Sequence, residues 1–246
     1  MTTRLLDRSR IDEAVELLRR GGLVALPTET VYGLAADALD ARAVAGIFEA
    51  KRRPAFDPLI VHLPQPAWIE RACALPSGVR RECALRLARE FWPGPLTLVL
   101  PKTDLIPDLV TSGRPSVAVR MSRHPVFRQL IERFAGPLAA PSANRFGRVS
   151  PTAASHVVDE LDGRIAAVVD GGRCDCGVES TIVAVDAGGG LEILRPGPIG
   201  AGELARFGEL RAGGGRAASA QPPAAPGQLA SHYAPACEVV VVAAAD

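Results

Sequence analysis

The apolar residues of the chain recur at two spacings, one typical of amphipathic helices and the other of short buried strands. From position 11 to position 18 they fall on one helical face, which Gly21 ends. Ser9 and Asp12 form a candidate capping box at the start of that helix. Further helices are predicted at residues 41–50, 78–91, 125–134, 152–161 and 201–207. Strands are predicted at residues 23–26, 59–63, 96–100, 117–119, 138–140, 165–169, 181–185 and 191–194. Because the connections between strands vary from a helix to a short turn, the pattern favours an α/β fold with a mixed sheet.

The composition changes after position 210. Residues 211–230 are mostly Ala, Gly, Pro, Ser and Gln, which is typical of a flexible linker. Beyond them stand HYAP (residues 232–235) and one β-branched run at 238–242, which cannot form a domain alone. We therefore expect a main domain at residues 1–210, a linker at 211–230 and a strap at 231–246. The strap would be the remnant or the start of a further C-terminal domain.

Composition and charge narrow the class of protein. Lys plus Arg number 28 and Asp plus Glu 27, so the net charge is +1, and any binding of an anion must be local. No apolar run approaches the ~20 residues that a membrane span requires. The first ten residues are charged where a signal peptide would be apolar. We predict a soluble cytoplasmic protein without membrane contact.

The cysteines and histidines do not predict a metal site. Five cysteines show no CxxC spacing, which argues against both a disulfide framework and zinc. Cys174 and Cys176 are close together, but no second pair of ligands completes a site. The four histidines are scattered along the chain.

One basic cluster stands at the end of a predicted helix. Lys51 and Arg53 belong to KRRP (residues 51–54), and Lys51 is one of only two lysines in the chain. Cations at a helix C-terminus can simply complement the negative end of the helix dipole. The alternative is an anion site, which would need further donors from elsewhere in the chain.

Such donors follow several predicted strands. Thr28, Thr30, Tyr32 and Gly33 lie in PTETVYGL, and PSAN (residues 141–144) follows another strand. Loops at strand ends are where open α/β sheets bind ligands, although both strings are also ordinary turn sequences.

Two arginines and a serine flank other predicted strands. Arg120 and Arg195 each end an apolar run, and Ser180 precedes one. The arginines could reach solvent, or they could bind phosphate and carboxylate groups in a bidentate manner. The chain contains no GxxxxGK[ST], no GxGxxG between a strand and a helix, and no GxSxG, which excludes a P-loop and an α/β-hydrolase nucleophile elbow.

In their order along the chain, a series of sequence blocks resembles the threonylcarbamoyl-AMP synthase family, whose domain is of the YrdC-like type. The blocks are PTETVYGL, KRRP with PLIVH, FWPGPLTLVL, SVAVRM, APSANRFGRVSPT, DGG, GVESTIV, LRPGPI and HYAP. The resemblance implies a twisted open mixed sheet flanked by helices, with a large positively charged concave face. It also implies an L-threonylcarbamoyladenylate synthase, a nucleotidyltransferase. Such an enzyme joins L-threonine, bicarbonate and ATP and releases pyrophosphate, for N6-threonylcarbamoyladenosine modification of tRNA.

The resemblance also implies roles for particular residues. Lys51 and Arg53 would be catalytic. Threonine would be bound by Thr30, His62, Arg120, Ala140 and Ser180. ATP would be bound by Arg53, Ser142, Asn144, Ser150, Arg195 and His232. Magnesium is expected with the ATP phosphates, but the sequence shows no carboxylate cage for it.

The same resemblance leaves two rival functions open. One is a carbamoyltransferase-type relative of the same fold, and the other is a module that binds double-stranded RNA or tRNA. The near-zero net charge weakens RNA binding as the main role, so RNA contact is expected only as a secondary property. The partner implied downstream is a tRNA-modifying threonylcarbamoyl transferase.

Overall fold

The computed structural model describes residues 2–211 and residue 226 of the chain. Its strands are β1 (Arg4–Asp7), β2 (Val24–Leu26), β3 (Gly33–Asp37), β4 (Ile60–His62), β5 (Leu96–Pro101), β6 (Ser116–Arg120), β7 (Leu138–Ala139), β8 (Ala167–Asp170), β9 (Thr181–Val185), β10 (Leu191–Arg195) and β11 (Leu210–Arg211). Its α-helices are α1 (Ile11–Arg19), α2 (Ala41–Lys51), α3 (Ile69–Ala72), α4 (Val79–Phe91), α5 (Asp108–Thr111), α6 (Pro125–Phe134), α7 (Ala154–Leu161) and α8 (Ala201–Leu204). Short 3-10 helices cover Arg8–Arg10 and Pro66–Trp68.

The described strands form one open sheet in the order β1-β8-β2-β3-β7-β4-β6-β5-β9-β10-β11. Parallel pairs such as β4 with β6 and β5 with β9 alternate with antiparallel pairs such as β5 with β6 and β9 with β10. The predicted mixed sheet is therefore confirmed. Gly188, Gly189 and Gly190 lie in the turn of the β9–β10 hairpin.

Helices pack on both faces of the sheet because successive strand residues point to opposite sides. Val24 and Leu26 of β2 join a cluster with the apolar faces of α1 and α6, whereas Ala25 joins the larger core on the other face. The predicted apolar face of α1 is confirmed, since Ile11 and Leu18 are fully buried there.

The predicted start of the first helix is wrong in detail. α1 begins at Ile11, and its N-cap residue Arg10 makes no capping hydrogen bond through its side chain. The Asp7 carboxylate instead accepts from the backbone N–H of Ser9, at 2.7 Å, and so caps the short 3-10 helix before α1. Ser9 is consequently a donor to a cap and not the cap itself.

Other boundaries differ by a few residues, and some short elements were not predicted. The elements that were not predicted include strands β1 and β3 and helices α3 and α5. The predicted linker begins one residue too early, because Arg211 pairs with Glu192 in the β10–β11 ladder. Residues 212–225 and 227–246, which include the rest of that linker, HYAP and His232, lie outside the described residues. No described helix is long and apolar enough to cross a membrane.

Candidate functional site

A cavity opens on the sheet face that carries α6, beyond the part of the sheet that this helix covers. In the β4–β6 ladder His62 lies beside Arg120, and Ile60 lies beside Ala118 on the same face. Phe127 of α6 packs on the His62 ring, with 4.5 Å between the ring centroids. The cavity has a volume of about 410 Å³, including the part open to solvent, and is lined by Thr28, Thr30, Val31, Gly33, Arg53, Ile60, His62, Arg120, Ala140, Pro141, Ser142, Glu179, Arg195 and Pro226.

The loop between β2 and β3 presents an ordered pair of hydroxyls to this cavity. Thr28 Oγ1 lies 2.6 Å from the Val31 carbonyl oxygen and donates its single proton there. Thr30 Oγ1, 2.8 Å from Thr28 Oγ1, must therefore be the donor of that pair. Arg120 Nη1 donates to Thr30 Oγ1 at 3.0 Å. The Thr30 hydroxyl can consequently offer only an acceptor lone pair to a ligand.

Arg120 is held in a buried ion pair with Glu29. Its Nη2 lies 2.8 Å from Glu29 Oε1, and the two side chains are 3% and 0% exposed. Burial alone would raise the pKa of Glu29, but the Arg120 charge and the Ser122 hydroxyl outweigh it and hold that pKa below its usual value. Glu29 is therefore ionised at neutral pH, and the pair carries no net charge.

His62 is neutral at physiological pH. Burial, followed by the repulsion of the neighbouring Arg120 charge, holds its pKa well below the usual 6.5. A neutral imidazole beside a guanidinium adds a hydrogen-bonding group to the cavity without a second positive charge.

A second network lies where β9 and β10 meet the cavity. Arg195 Nε donates to the Ser180 carbonyl oxygen at 3.1 Å, and Arg195 Nη2 donates to Ser180 Oγ at 3.0 Å. Ser180 Oγ also lies 2.8 Å from Thr97 Oγ1 of β5. Glu179 accepts from Ser150 Oγ at 2.8 Å and lies 3.6 Å from Arg195. The network links the loop that precedes β9 to the end of β10.

Gly197 in LRPGPI allows this network to form. A Cβ atom at this position would stand 2.4 Å from the Thr181 backbone nitrogen and 2.6 Å from the Glu179 carbonyl oxygen. Only a residue without a side chain lets the segment after β10 approach the start of β9 so closely. The glycine is therefore required by packing at the cavity wall.

Lys51 lies behind the cavity and holds the loop that carries PSAN. Its side chain is 1% exposed, and Nζ donates to the backbone oxygens of Ser142, at 2.5 Å, and Asn144. Burial and then the nearby Arg53 charge lower the pKa of Lys51 to about 7. The interpretation that Lys51 only complements the dipole of its own helix is wrong, because its hydrogen bonds go to another loop.

Arg53, two residues after Lys51, itself lines the cavity. It forms an ion pair with Asp57 at 2.9 Å and donates to the Asp57 and Pro58 carbonyl oxygens. Both charged side chains are almost fully buried. The guanidinium is thereby fixed in one orientation.

The structure brings together the residues that the sequence singled out. Seven of them line the cavity: Thr30, Arg53, His62, Arg120, Ala140, Ser142 and Arg195. Lys51, Ser150 and Ser180 each form a hydrogen bond with a residue of that lining. Asn144 lies one step further back, because its backbone oxygen accepts from Lys51. His232 lies outside the described residues. The roles given to these residues are not decided by this placement.

Sequence reasoning missed the carboxylates of the site. Arg53, Arg120 and Arg195 each face an acidic side chain, namely Asp57, Glu29 and Glu179. The spacing of four residues between Arg53 and Asp57 was the only signal in the sequence for any of these pairs. The predicted positive charge of the concave face stays a prediction.

The carboxylates do not form a metal-binding cluster. Among residues 2–211 there is no group of three or more histidine, cysteine or acidic side chains placed to hold a metal ion. The acidic groups of the cavity pair with arginines instead, so these residues do not fit a magnesium ion held by the protein.

Fold and cavity together define an open mixed α/β protein with a cavity that combines paired arginines, ordered hydroxyls and a neutral histidine. The family model Sua5/YciO/YrdC, described as telomere recombination, matches residues 16–197. The chain belongs to this family.

Named relatives and a solved structure agree with that assignment. The chain is 45% identical to the threonylcarbamoyl-AMP synthase of Pyrococcus abyssi, over 98% of this chain and 72% of that protein. It is 44% identical to the enzyme of the same name from Bacillus subtilis, over 94% and 66%. The crystal structure of Pyrococcus abyssi Sua5 in complex with L-threonine superimposes with a TM-score of 0.87 at 40% identity, covering 97% of this chain and 70% of that one. The chain thus spans about two thirds to three quarters of the length of these relatives.

Proposed function

We propose that this chain is an L-threonylcarbamoyladenylate synthase, a nucleotidyltransferase that makes threonylcarbamoyl-AMP and pyrophosphate from L-threonine, bicarbonate and ATP. The observation that carries the proposal is that seven predicted site residues, from different parts of the sequence, line one cavity. The names of the two relatives and the threonine complex of the Pyrococcus abyssi protein support it.

We assign the amino-acid substrate to the end of the cavity formed by Thr30, His62, Arg120, Ala140 and Ser180. Arg120 supplies the cation for the substrate carboxylate, since guanidinium and carboxylate match in shape and charge. Thr30 Oγ1, left with only an acceptor lone pair, is suited to the substrate ammonium group.

We assign the nucleotide to the other end, with Arg53, Ser142, Asn144, Ser150 and Arg195. His232, which lies outside the described residues, is predicted to contact the nucleotide as well. Arg53 and Arg195 are buried and fixed by their hydrogen bonds, so they meet phosphate oxygens without losing much side-chain entropy. Asn144 Nδ2 donates to the backbone oxygens of Arg145 and Arg148 and so orders the loop that follows PSAN.

The chemistry that follows needs no protein nucleophile. The threonine ammonium group loses a proton to solvent, and the resulting amine and bicarbonate form an N-carboxylate with loss of water. A carboxylate oxygen then attacks the α-phosphorus, the bond from that phosphorus to the bridging oxygen breaks, and pyrophosphate leaves. Holding the reactants in place can supply up to about 7 to 11 kcal/mol. Each prearranged cation beside the developing charge adds about 3 to 4 kcal/mol.

Lys51 and Arg53 act on this charge in different ways. Arg53 lines the cavity and is the candidate that touches the phosphates. Lys51 acts from behind, because its Nζ holds the backbone of the loop that carries Ser142 and Asn144. Magnesium would arrive with ATP as part of the substrate.

The product would be consumed by a tRNA-modifying threonylcarbamoyl transferase in the cytoplasm. A mixed anhydride of a carbamate and a phosphate is prone to hydrolysis, so transfer must follow formation closely. A secondary contact with RNA would assist that transfer.

The test is a pyrophosphate assay in which ATP, bicarbonate and threonine are omitted one at a time. The proposal expects release only when all three are present. Arg120→Ala should abolish it, and Arg206→Ala, which removes an exposed arginine paired with Glu90 outside the cavity, should not. Pyrophosphate release without threonine would reject the proposal. If the protein then also used carbamoyl phosphate as a substrate, the carbamoyltransferase alternative would be favoured.

A further inference from the structure

Glu29 stands between the two threonines of the β2–β3 loop, and its contacts reach three separate parts of the site. Its Oε1 pairs with Arg120, and its Oε2 accepts from Ser122 Oγ at 2.5 Å and from the Arg123 backbone N–H at 3.3 Å. Its own carbonyl oxygen accepts from the Cys176 backbone N–H at 2.9 Å. The residue is 0% exposed, so it does not itself face the ligand space.

These contacts leave Arg120 in one defined state. Nη2 forms an ion pair with Glu29 and Nη1 donates to Thr30, whereas Nε has neither an ion-pair partner nor a hydrogen-bond partner among the described residues. Arg120 is 3% exposed and lines the cavity, so the part of its guanidinium that is not covered by protein faces the space that a ligand would fill. A buried donor without a partner at a cavity wall is what an incoming anion would complete.

The carboxylate of Glu29 is in turn fixed from its far side. Ser122 Oγ donates to it while accepting from the His124 backbone N–H at 3.2 Å, so the hydroxyl proton is directed to Glu29. The chain of contacts runs from the segment after β6, through Glu29, to Arg120 and then to Thr30. Neither Glu29 nor Ser122 lines the cavity.

We propose that Glu29, supported by Ser122, is a positioning residue that sets the orientation of Arg120 for the carboxylate of the amino-acid substrate. This inference rests on the proposed function. Without Glu29 the Arg120 guanidinium would be a buried cation without its counter-ion, free to turn toward other acceptors and away from the substrate carboxylate.

The test measures binding to the folded chain by calorimetry, with Glu29→Gln as the main variant. The dissociation constant for L-threonine should rise by about tenfold or more, which corresponds to about 1.4 kcal/mol. The dissociation constant for ATP should change by less than about threefold. Glu90→Gln, which removes a carboxylate from an exposed ion pair with Arg206, is the matched control and should leave both constants unchanged.

A ligand without a carboxylate separates positioning from general damage to the fold. L-threoninol keeps the amine and side chain of threonine, so its binding should be the same in wild type and in Glu29→Gln. Equal weakening of threonine and threoninol binding would indicate a merely structural role and overturn the proposal. Threonine binding as tight as in wild type, or tighter, would also overturn it.

Two further outcomes are informative. Should Glu29→Gln fail to fold, Ser122→Ala decides, because it keeps the charge of Glu29 and removes only the hydroxyl that orients it. A threonine dissociation constant raised about threefold or more, with threoninol unaffected, would support the proposal, and an unchanged constant would overturn it. If wild type bound no L-threonine, the proposed function itself would fail first.

Discussion

Replacing Lys51 by methionine tests the environment of the one lysine in the site. Methionine keeps an unbranched side chain of similar length and removes the ammonium group. The two backbone oxygens that Nζ holds, those of Ser142 and Asn144, lose a buried donor. The substitution also removes a titrating group whose pKa is lowered by burial and then by the charge of Arg53.

The expected effect on stability has a definite sign. The pKa of Lys51 is about 7 in the folded chain against an ordinary 10.5, so between these values the unfolded chain binds more protons than the folded chain. The free energy of unfolding therefore rises with pH in that range. For one group with these two values, the gain between pH 7 and pH 9 is about 2 kcal/mol. Below about pH 6 the group contributes no slope, because it is protonated in both states.

The assay is urea unfolding of wild type and Lys51→Met at several pH values from 6 to 9. All other titrating groups are shared, so their effects cancel in the difference between the two proteins. The difference should shift in favour of wild type by about 3 kcal/mol between pH 6 and pH 9, with about 2 kcal/mol of that shift above pH 7. Lys102→Met, which removes the chain's other lysine, is the control and should keep the wild-type slope. A difference between wild type and Lys51→Met that does not depend on pH would refute the reasoning.

Three further predictions follow from single contacts. His62 should stay neutral between pH 6 and pH 8, because burial and then a neighbouring arginine hold its pKa well below 6.5. The NMR signals of its ring, assigned with His62→Asn, should not shift over this range. A titration midpoint near 6.5 would contradict this prediction. Gly197→Ala should lower the free energy of unfolding by about 1 to 3 kcal/mol, since its Cβ would stand 2.4 Å from a backbone nitrogen. Gly202→Ala, in helix α8 and with open space at its Cβ, should not lower stability in the same urea titration, and equal stability of the two variants would be evidence against the close approach. Deleting residues 225–246 should weaken ATP binding in calorimetry, because Pro226 lines the cavity and His232 is predicted to contact the nucleotide; unchanged affinity would reject that role.

The helices and longer strands could be predicted where pattern and boundary signals coincided. α6 runs from Pro125 to Phe134 as predicted, because a proline sets its start and its apolar face is regular. Strand β3 was missed because GLAAD is buried almost throughout and shows no alternation of apolar and polar residues. β11 was missed because a two-residue strand carries too little pattern to stand out from the linker composition beside it.

The residues of the candidate site likewise fall into those that the sequence predicted and those that it did not. Arg120 and Arg195 could be predicted because each ends a short apolar strand, and the resemblance placed them in one site. The partners of these arginines could not, because Glu29 and Glu179 belong to separate sequence blocks and meet Arg120 and Arg195 only in the folded sheet. Lys51 shows the same limit, since its two acceptors lie more than ninety residues away in sequence.

The proposed reaction joins an amino acid, a one-carbon unit and a nucleotide in one cavity. Its most direct measurement is mass spectrometry of the products formed from ATP, L-threonine and ¹³C-bicarbonate. We predict threonylcarbamoyl-AMP that carries one ¹³C atom, formed by wild type and not by Arg120→Ala. Unlabelled product, an adenylate that lacks threonine, or equal product from Arg120→Ala would contradict it.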